Sequence, residues 1–442
     1  MKLEQVLMGG ELMPEKDIKI LLPISQTGGY GDVTAGIAVG EYLQNVDLPF
    51  EISFERGAEE KFEYLTQHSK EWKRYKSSDN DIVSICTIYD SRTVKQTKKT
   101  KYSMLIGEYD ASDSVYNVSK NFSLNIRTGL GFNEDSPMVQ SGIYIRPNLE
   151  FILNTVDNAI KKDKNNTELK KELLEELSEK QISVKRLLDW QQESAFDSKY
   201  SLAYTSEIER ESLFYGIVES AQDKLTNNLI IFSTASENRQ PYIQMEAKGR
   251  GFSYINNVRI KKRNSPITII ELGAIKESSF MDLLGVADTL SLITGDHSLS
   301  QILQKSQHKC SVPFFYQAAS WKYRLSSNLH RLMKQTSPDA ADLFAGYVLG
   351  TSTMQGNEFT GLGKKLLDKE DFAKLVYDKE TIKDYNTAIK SIKNIFINER
   401  REAGIEKPEI LWSVNETIGH IIQNLKAGNK VLESQKELIP RE

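Results

Sequence analysis

Cysteine is nearly absent. The chain has two in 442 residues, Cys86 and Cys310. They stand far apart and in no metal-ligand spacing, which suits a reducing cytosol better than an oxidising compartment. A basic excess is also missing. The net charge of -4 argues against broad electrostatic capture of nucleic acid or an anionic membrane. No basic segment leads into an apolar core at the N-terminus, so no signal peptide is expected. No apolar run approaches the roughly 20 residues that span a bilayer. A cytosol is therefore the expected place of work, either the chain's own or that of a cell into which it is delivered. Familiar catalytic signatures are lacking too. No Gly-Lys-Ser/Thr follows a glycine loop, and no G-x-G-x-x-G occurs at a strand–helix junction. No Ser/His/Asp triad or Cys/His pair can be assembled by spacing, and the five histidines do not cluster as metal ligands.

What is present is an ordinary soluble composition, 39% hydrophobic and 27% charged, in a chain too long for one core. Ile18–Ser25 is a short, nearly continuous apolar run of the kind buried in a parallel sheet. A glycine turn follows, then a helix from about Asp32 to Gln44. Strands are expected at Phe50–Phe54, Asp81–Tyr89 and Tyr102–Tyr109, with a charged helix over Glu59–Lys76. Arg127–Arg146 reads as loop, and Pro147–Lys162 as helix. Lys161–Gln192 is densely charged and helical, expected to be a solvated linker or insert. A second α/β run begins at Tyr200, with strands at Tyr200–Tyr204, Asn228–Phe232, Ile267–Glu271, Thr289–Thr294 and Val312–Tyr316. Helices are expected between them near Ser206–Asp223, Ser278–Ala287 and Ser298–Lys305. Beyond Trp321 the pattern is almost wholly helical, ending with Asn415–Leu425. Strands alternating with helices imply open α/β sheets. The expected fold is two facing Rossmann-like domains with a helical insert and a helical C-terminus. Residues 1–165 form an N-terminal α/β domain, 166–195 the charged insert and 196–400 the second α/β domain. Helices within 401–442 then pack back on the first.

Two stretches have the strand–turn–helix form that binds anions. In Gly28-Gly29-Tyr30-Gly31-Asp32-Val33 the glycines permit positive φ and close backbone approach, and the following helix offers free N–H groups. The bland alternative is that Asp32 only caps the helix. In Thr294-Gly295-Asp296-His297-Ser298, Ser298 and backbone N–H groups suit a diphosphate. Asp296 suits a sugar hydroxyl, and His297 suits phosphate. Ligands of open α/β sheets sit at the carboxyl ends of strands. Two such domains across a cleft would put both turns on one ligand.

The first turn, with Ala38, Gly40 and Leu43, resembles that of GT-B glycosyltransferases such as the sterol glucosyltransferase and MurG-like groups. Gly295-Asp296-His297-Ser298 followed by Pro313-Phe314-Phe315-Tyr316 resembles their nucleotide-sugar segment. More narrowly, Tyr30-Gly31-Asp32, Ser201-Leu202-Ala203-Tyr204 and the second turn resemble the arginine rhamnosyltransferases that modify elongation factor P. That subgroup has acidic residues where this chain has glycine at Gly28 and Gly29 and histidine at His297. The resemblance implies Asp32 as the catalytic residue at an acceptor-side turn. It implies Gly29, Gly31, Tyr204, Asp296 and Ser298 as donor contacts, with Gly295 and His297 in the same turn. Glu271, at an apolar strand end, suits a ribose hydroxyl, or equally a helix cap or salt bridge.

The implied activity moves a sugar from a nucleoside-diphosphate sugar to a protein, lipid or small-molecule acceptor, inverting and without metal. The nucleotide sugar is the donor substrate and no other cofactor is implied. An epimerase of similar architecture, or a non-catalytic interaction protein on a degenerate scaffold, are the alternatives. Arg127 and Arg146 could reach a cleft but read more simply as surface charges. Asp79-Asn80-Asp81 reads as a turn rather than a metal site. Phe314, Phe315 and Tyr316 read as buried strand, and Lys322 as a surface lysine.

Overall fold

The computed structural model describes residues 18–26, 31–55, 57–66, 70–76, 82–87, 102–107, 124–134, 138–162, 166–205, 208–221, 227–234, 239–273, 275–309, 312–317, 323–351, 378–427 and 437–440. Gly28, Gly29 and Tyr30 of the first turn, Asp79-Asn80-Asp81, Cys310, Trp321 and Lys322 lie outside them, as does the side chain of Asp296.

Two sheets organise the chain. The first is wholly parallel and comprises β1 (Lys19–Ile24), β2 (Phe50–Phe54), β3 (Ile82–Cys86), β4 (Tyr102–Gly107), β5 (Leu124–Arg127) and β6 (Val139–Gln140), in the order β2-β1-β3-β4-β5-β6. β1 reads KILLPI and buries every residue but the first, as a strand covered on both faces must. Pro23 is tolerated in this inner strand because the ladder with β3 ends at Leu21. β6 lies where the sequence reads as loop, and β5 just before it, where no element was read; each is too short to show a period.

Helix α1 (Gly31–Asn45) follows β1 and is buried on nearly all sides. Helix α2 (Ala58–Thr66) is shorter than expected. The chain beyond it runs extended beside β2, where Ile52 N–H donates to Lys73 O at 2.9 Å. Trp72 then lies on α1 in the space that a side chain at Gly40 would fill, 2.3 Å from an ideal Cβ there. Packing of Trp72 against Phe50 and Phe62 overrides the helical pattern of that segment.

Three helices link the sheets: α3 (Pro147–Lys161), α4 (Thr167–Lys180) and α5 (Ile182–Asp197). The expectation of a solvated insert holds for one face only. Leu173, Leu174, Leu177, Val184 and Leu187 are buried, with α4 packed on α5. Lys170 is buried too; its ammonium donates to Ser198 O at 2.7 Å and to Asp288 at 2.8 Å, over the Tyr200 ring. A charge-rich pattern concealed a leucine stripe wide enough to seat the helix.

The second sheet comprises β7 (Lys199–Ala203), β8 (Leu229–Ser233), β9 (Ser253–Ile255), β10 (Ile260–Lys261), β11 (Ile267–Glu271), β12 (Ser291–Thr294) and β13 (Phe314–Gln317), in the order β10-β9-β11-β8-β7-β12-β13. Only β10 is antiparallel to its neighbour. Its helices are α6 (Ile208–Ser220), α7 (Gln240–Gly249), α8 (Glu277–Val286) and α9 (Asp296–Ser306). α7, β9 and β10 were not legible in the sequence. Phe314, Phe315 and Tyr316 are buried strand, as read. Then come α10 (Tyr323–Lys334), α11 (Pro338–Thr351), α12 (Lys379–Glu402) and, after a short 3-10 turn, α13 (Val414–Lys426). None of the described helices is long and apolar enough to cross a membrane.

The end of the chain is stitched to the first sheet's rim. Gly142 N–H donates to Leu411 O at 2.7 Å, Ile143 N–H to Trp412 O at 3.0 Å, and Val414 N–H to Ile143 O at 3.0 Å. α13 lies on α1, where the Asn415 amide donates to Ala38 O at 2.9 Å. A Cβ at Gly142 would stand 2.5 Å from the Trp412 carbonyl oxygen. Gly142→Ala is therefore expected to cost about 1–3 kcal/mol by overpacking. Chemical denaturation checks this, and wild-type stability in the variant would mean that the two segments part freely.

Candidate functional site

In each sheet the strand order reverses at one place, and the turns singled out by the sequence stand there. The chain leaves β1 towards β2 on one side, while β3 lies on the other, so the turn into α1 opens at that reversal. In the second sheet β7 leads to β8 on one side and is flanked by β12 on the other. Tyr204 follows β7 and Gly295 follows β12, and Tyr204 N–H donates across the gap to Leu292 O at 2.8 Å. A reversal leaves a crevice at the carboxyl ends of the strands, because the two connecting helices go to opposite faces.

The two turns meet. α1 and α9 are in contact. His297 in the first turn of α9 lies 3.9 Å from where a Cβ at Gly31 would sit. On its other side the His297 ring meets Tyr144, with centroids 4.8 Å apart. Gly295 has φ +85° with open space where its Cβ would be, so glycine is required there by backbone conformation alone. Its carbonyl accepts from Leu299 N–H at 3.0 Å, which starts the helix. Ser298 is nearly buried beside His297, and Asp32, in the first turn of α1, is 9% exposed. Two helix N-termini thus meet at one crevice, each bringing the positive end of its dipole.

Tyr204 is half-buried at the same rim, edge-on to Phe280 of α8 at 5.3 Å. Glu271 ends β11, level with Ser233 at the end of β8. It is neither a helix cap nor a salt bridge. Both its oxygens are buried and lack a hydrogen bond among the described residues. Burial pushes its carboxyl up to about 7, and the nearby Tyr254 phenol offsets this only in part. Beside it Glu211 takes the available donors: Tyr215 OH at 2.7 Å, Ser233 OH at 2.8 Å and the Arg239 guanidinium.

Because Glu271 binds its proton more tightly folded than unfolded, its stabilising share is complete below the ordinary carboxylate range. It is lost as pH rises through about 7. Glu271→Gln is expected to melt like wild type at about pH 5 and several degrees higher at about pH 8. A variant whose melting temperature tracks wild type at both would show that Glu271 is not held neutral.

Arg146 is no surface charge. It is 1% exposed, and its guanidinium meets Glu41 of α1 at 3.0 Å and Glu277 at the start of α8. Lys70 adds a second cation to Glu41 at 3.3 Å. Burial nevertheless pushes the Glu277 carboxyl up against the pull of Arg146. Gln304 of α9 closes on the Arg146 backbone, accepting from its N–H and donating to its carbonyl, both at 3.0 Å. His308, just past α9, bridges Glu150 at 3.2 Å and Asp157 at 3.1 Å on α3, and their hydrogen bonds raise its pKa. α9 is thereby fixed along its length, with its N-terminus at Gly31.

Tyr144, Glu41, Glu277 and Gln304 were missed from the sequence, and Arg146, which could reach a cleft, read more simply as a surface charge. The signal available was Gly142-Ile143-Tyr144-Ile145-Arg146-Pro147, in which a charge ends an apolar run and so invites a buried partner. Gly29 and the Asp296 side chain lie outside the described residues. Gly31, Asp32, Gly295, His297 and Ser298 are brought together, Tyr204 flanks them, and Glu271 sits deeper in the second half.

No protein-family model and no curated protein sequence matches the chain. Solved structures overlap it loosely. A glycosyltransferase from Rickettsia africae ESF-5 has 11% identity and a TM-score of 0.45, covering 93% of this chain and 99% of its own. MurG of Acinetobacter baumannii has 10% identity and a TM-score of 0.40, covering 87% and 100%. An alpha-glucosyltransferase in complex with UDP and mismatched DNA has 9% identity and a TM-score of 0.38, covering 87% and 98%.

Proposed function

We propose that this chain is a GT-B glycosyltransferase that moves a sugar from a nucleoside-diphosphate sugar to a protein, lipid or small-molecule acceptor, inverting and without a metal. The observation that carries the reading is the meeting of Gly31 and His297, which sets two helix N-termini from two parallel sheets on one crevice.

In this reading the diphosphate lies on the Gly295–Ser298 turn. There the N–H groups of α9, the Ser298 hydroxyl and His297 receive charge as the bond between the anomeric carbon and the diphosphate oxygen breaks. The electron pair of that bond leaves on the diphosphate. Asp32, across the crevice, takes the proton of the acceptor as the acceptor's lone pair forms the new bond to the opposite face of the anomeric carbon. Tyr204 offers a ring for the base, and a ribose hydroxyl would give Glu271 the hydrogen bond that it lacks among the described residues.

Melting-temperature shifts and hydrolysis assays across UDP-, GDP- and dTDP-sugars test the reading. At least one donor is expected to raise the melting temperature and to be slowly hydrolysed. If no nucleotide sugar binds, the reading fails.

A further inference from the structure

We infer that a cavity of about 230 Å³ between the β5–β6 loop and the first turns of α10 binds a small molecule carrying a carboxylate or phosphate. No residue of the Gly295–Ser298 turn lines it, and the inference does not depend on the glycosyltransferase reading.

Both halves of the chain contribute walls. Arg127, Thr128, Phe132 and Asn133 come from the end of β5 and the loop after it, and Leu325 and Asn328 from α10. Arg127 brings a positive charge, and no Asp or Glu among the described residues lines the space.

A second cation stands directly behind the wall. Arg400 of α12 is fully buried and, among the described residues, donates to neutral oxygens: Gln140 O at 3.2 Å, Phe396 O at 3.1 Å and Gly131 O at 2.5 Å. Its guanidinium lies over the rings of Phe396 at 3.3 Å and Phe132 at 5.3 Å. The adjacent carboxylate, Glu399, turns away to Arg331 and Gln335. Burial lowers the Arg400 pKa to about 9, and the nearby Glu399 charge offsets this only in part. A buried cation that makes its hydrogen bonds to carbonyl dipoles and lies over ring faces keeps part of its field, and that field favours an anion in the neighbouring space.

The walls are set before any ligand arrives. The Gln140 amide bonds both backbone groups of Asn133, at 2.6 and 2.7 Å. Asn328 donates to Gly129 O at 3.3 Å and fills the place of a side chain at Gly131. Preformed walls reduce the ordering cost of binding. Phe132 and Leu325 supply apolar surface for a short carbon skeleton. The volume is below the usual 300–1,000 Å³ of drug-sized pockets, so a compact metabolite or one anionic group of a larger molecule fits.

The experiment is isothermal titration of the full chain with succinate and with glycerol 3-phosphate, using succinamide and glycerol as neutral controls. At least one anion is expected to bind saturably and the neutral pair not at all. Succinate alone binding marks a carboxylate site; glycerol 3-phosphate alone marks a phosphate site. Arg127→Gln should weaken binding about ten-fold or more by removing a charge-assisted hydrogen bond. Asn328→Ala should weaken it less, with both variants melting near wild type. Absence of saturable binding by either anion overturns the inference, as does an Arg127→Gln variant that binds as tightly as wild type. An anion displaced by pyrophosphate yet indifferent to Arg127→Gln occupies the Gly295–Ser298 turn, and that too overturns it.

Discussion

Asp32→Asn is expected to lower the rate of sugar transfer by about 10²–10⁴ while leaving nucleotide-sugar binding unchanged. Asn has the shape of Asp and caps a helix as well, so α1 should keep its place. Asp32 stands one residue past Gly31, the point of contact with His297, and is nearly buried at the end of β1. In the proposed reading a carboxylate there stands in the half opposite the Gly295–Ser298 turn, on the side where an attacking acceptor would lie. Steady-state kinetics with the donor found by the binding panel decide the matter. The expected pattern is a fall in kcat with an unchanged donor KM, and Ser298→Ala should do the reverse, raising donor KM first. An Asp32→Asn enzyme that turns over like wild type removes Asp32 as base and leaves it a helix cap.

Arg146→Met is expected to destabilise the chain by about 3–5 kcal/mol, because it leaves buried carboxylates without their cation. Glu277 would lose its only ion-pair partner among the described residues, and Glu41 would keep Lys70 alone. The loss should be coupled to the carboxylates themselves. Arg146→Met combined with Glu277→Gln should recover part of the stability, since removing both members of a buried pair costs less than removing one. Urea denaturation of the two variants measures this. A single variant as stable as wild type would show that the buried pair is solvated after all. The arginine joins α1 to α8, so its loss is also expected to loosen the contact between the turn before α1 and α9. Nucleotide-sugar affinity should weaken in the single variant and return with stability in the double.

The parts of the site that were legible lie within a few residues of one another. An apolar run broken by glycines before an acidic residue marks a strand, a turn and a helix start. This held at β1–α1 and at β12–α9, where Gly295 takes the positive φ that only glycine adopts freely. Where a segment's own pattern was weak, its neighbours decided the outcome. β5 and β6 are four and two residues long, too short for alternation to register. The Lys70–Lys76 stretch follows Trp72 onto α1 rather than its charged helical pattern. The Lys161–Gln192 charges concealed leucines that seat α4 on its neighbours. Glu271 was visible as a carboxylate at a strand end, but its raised pKa follows from burial and from Glu211 beside it, which is remote in sequence.

The sequence by itself determined the α/β alternation, the two glycine-bearing turns and the residues that stand in them, because backbone conformation and helix starts are set by near neighbours. Only the tertiary structure decided that the two helix starts meet, at Gly31 and His297. It alone paired Arg146 with Glu41 and Glu277 and put Arg400 behind a cavity free of acids among the described residues. Those contacts join residues more than a hundred positions apart. Charge and burial at such a distance depend on how sheets and helices pack, which no local pattern records.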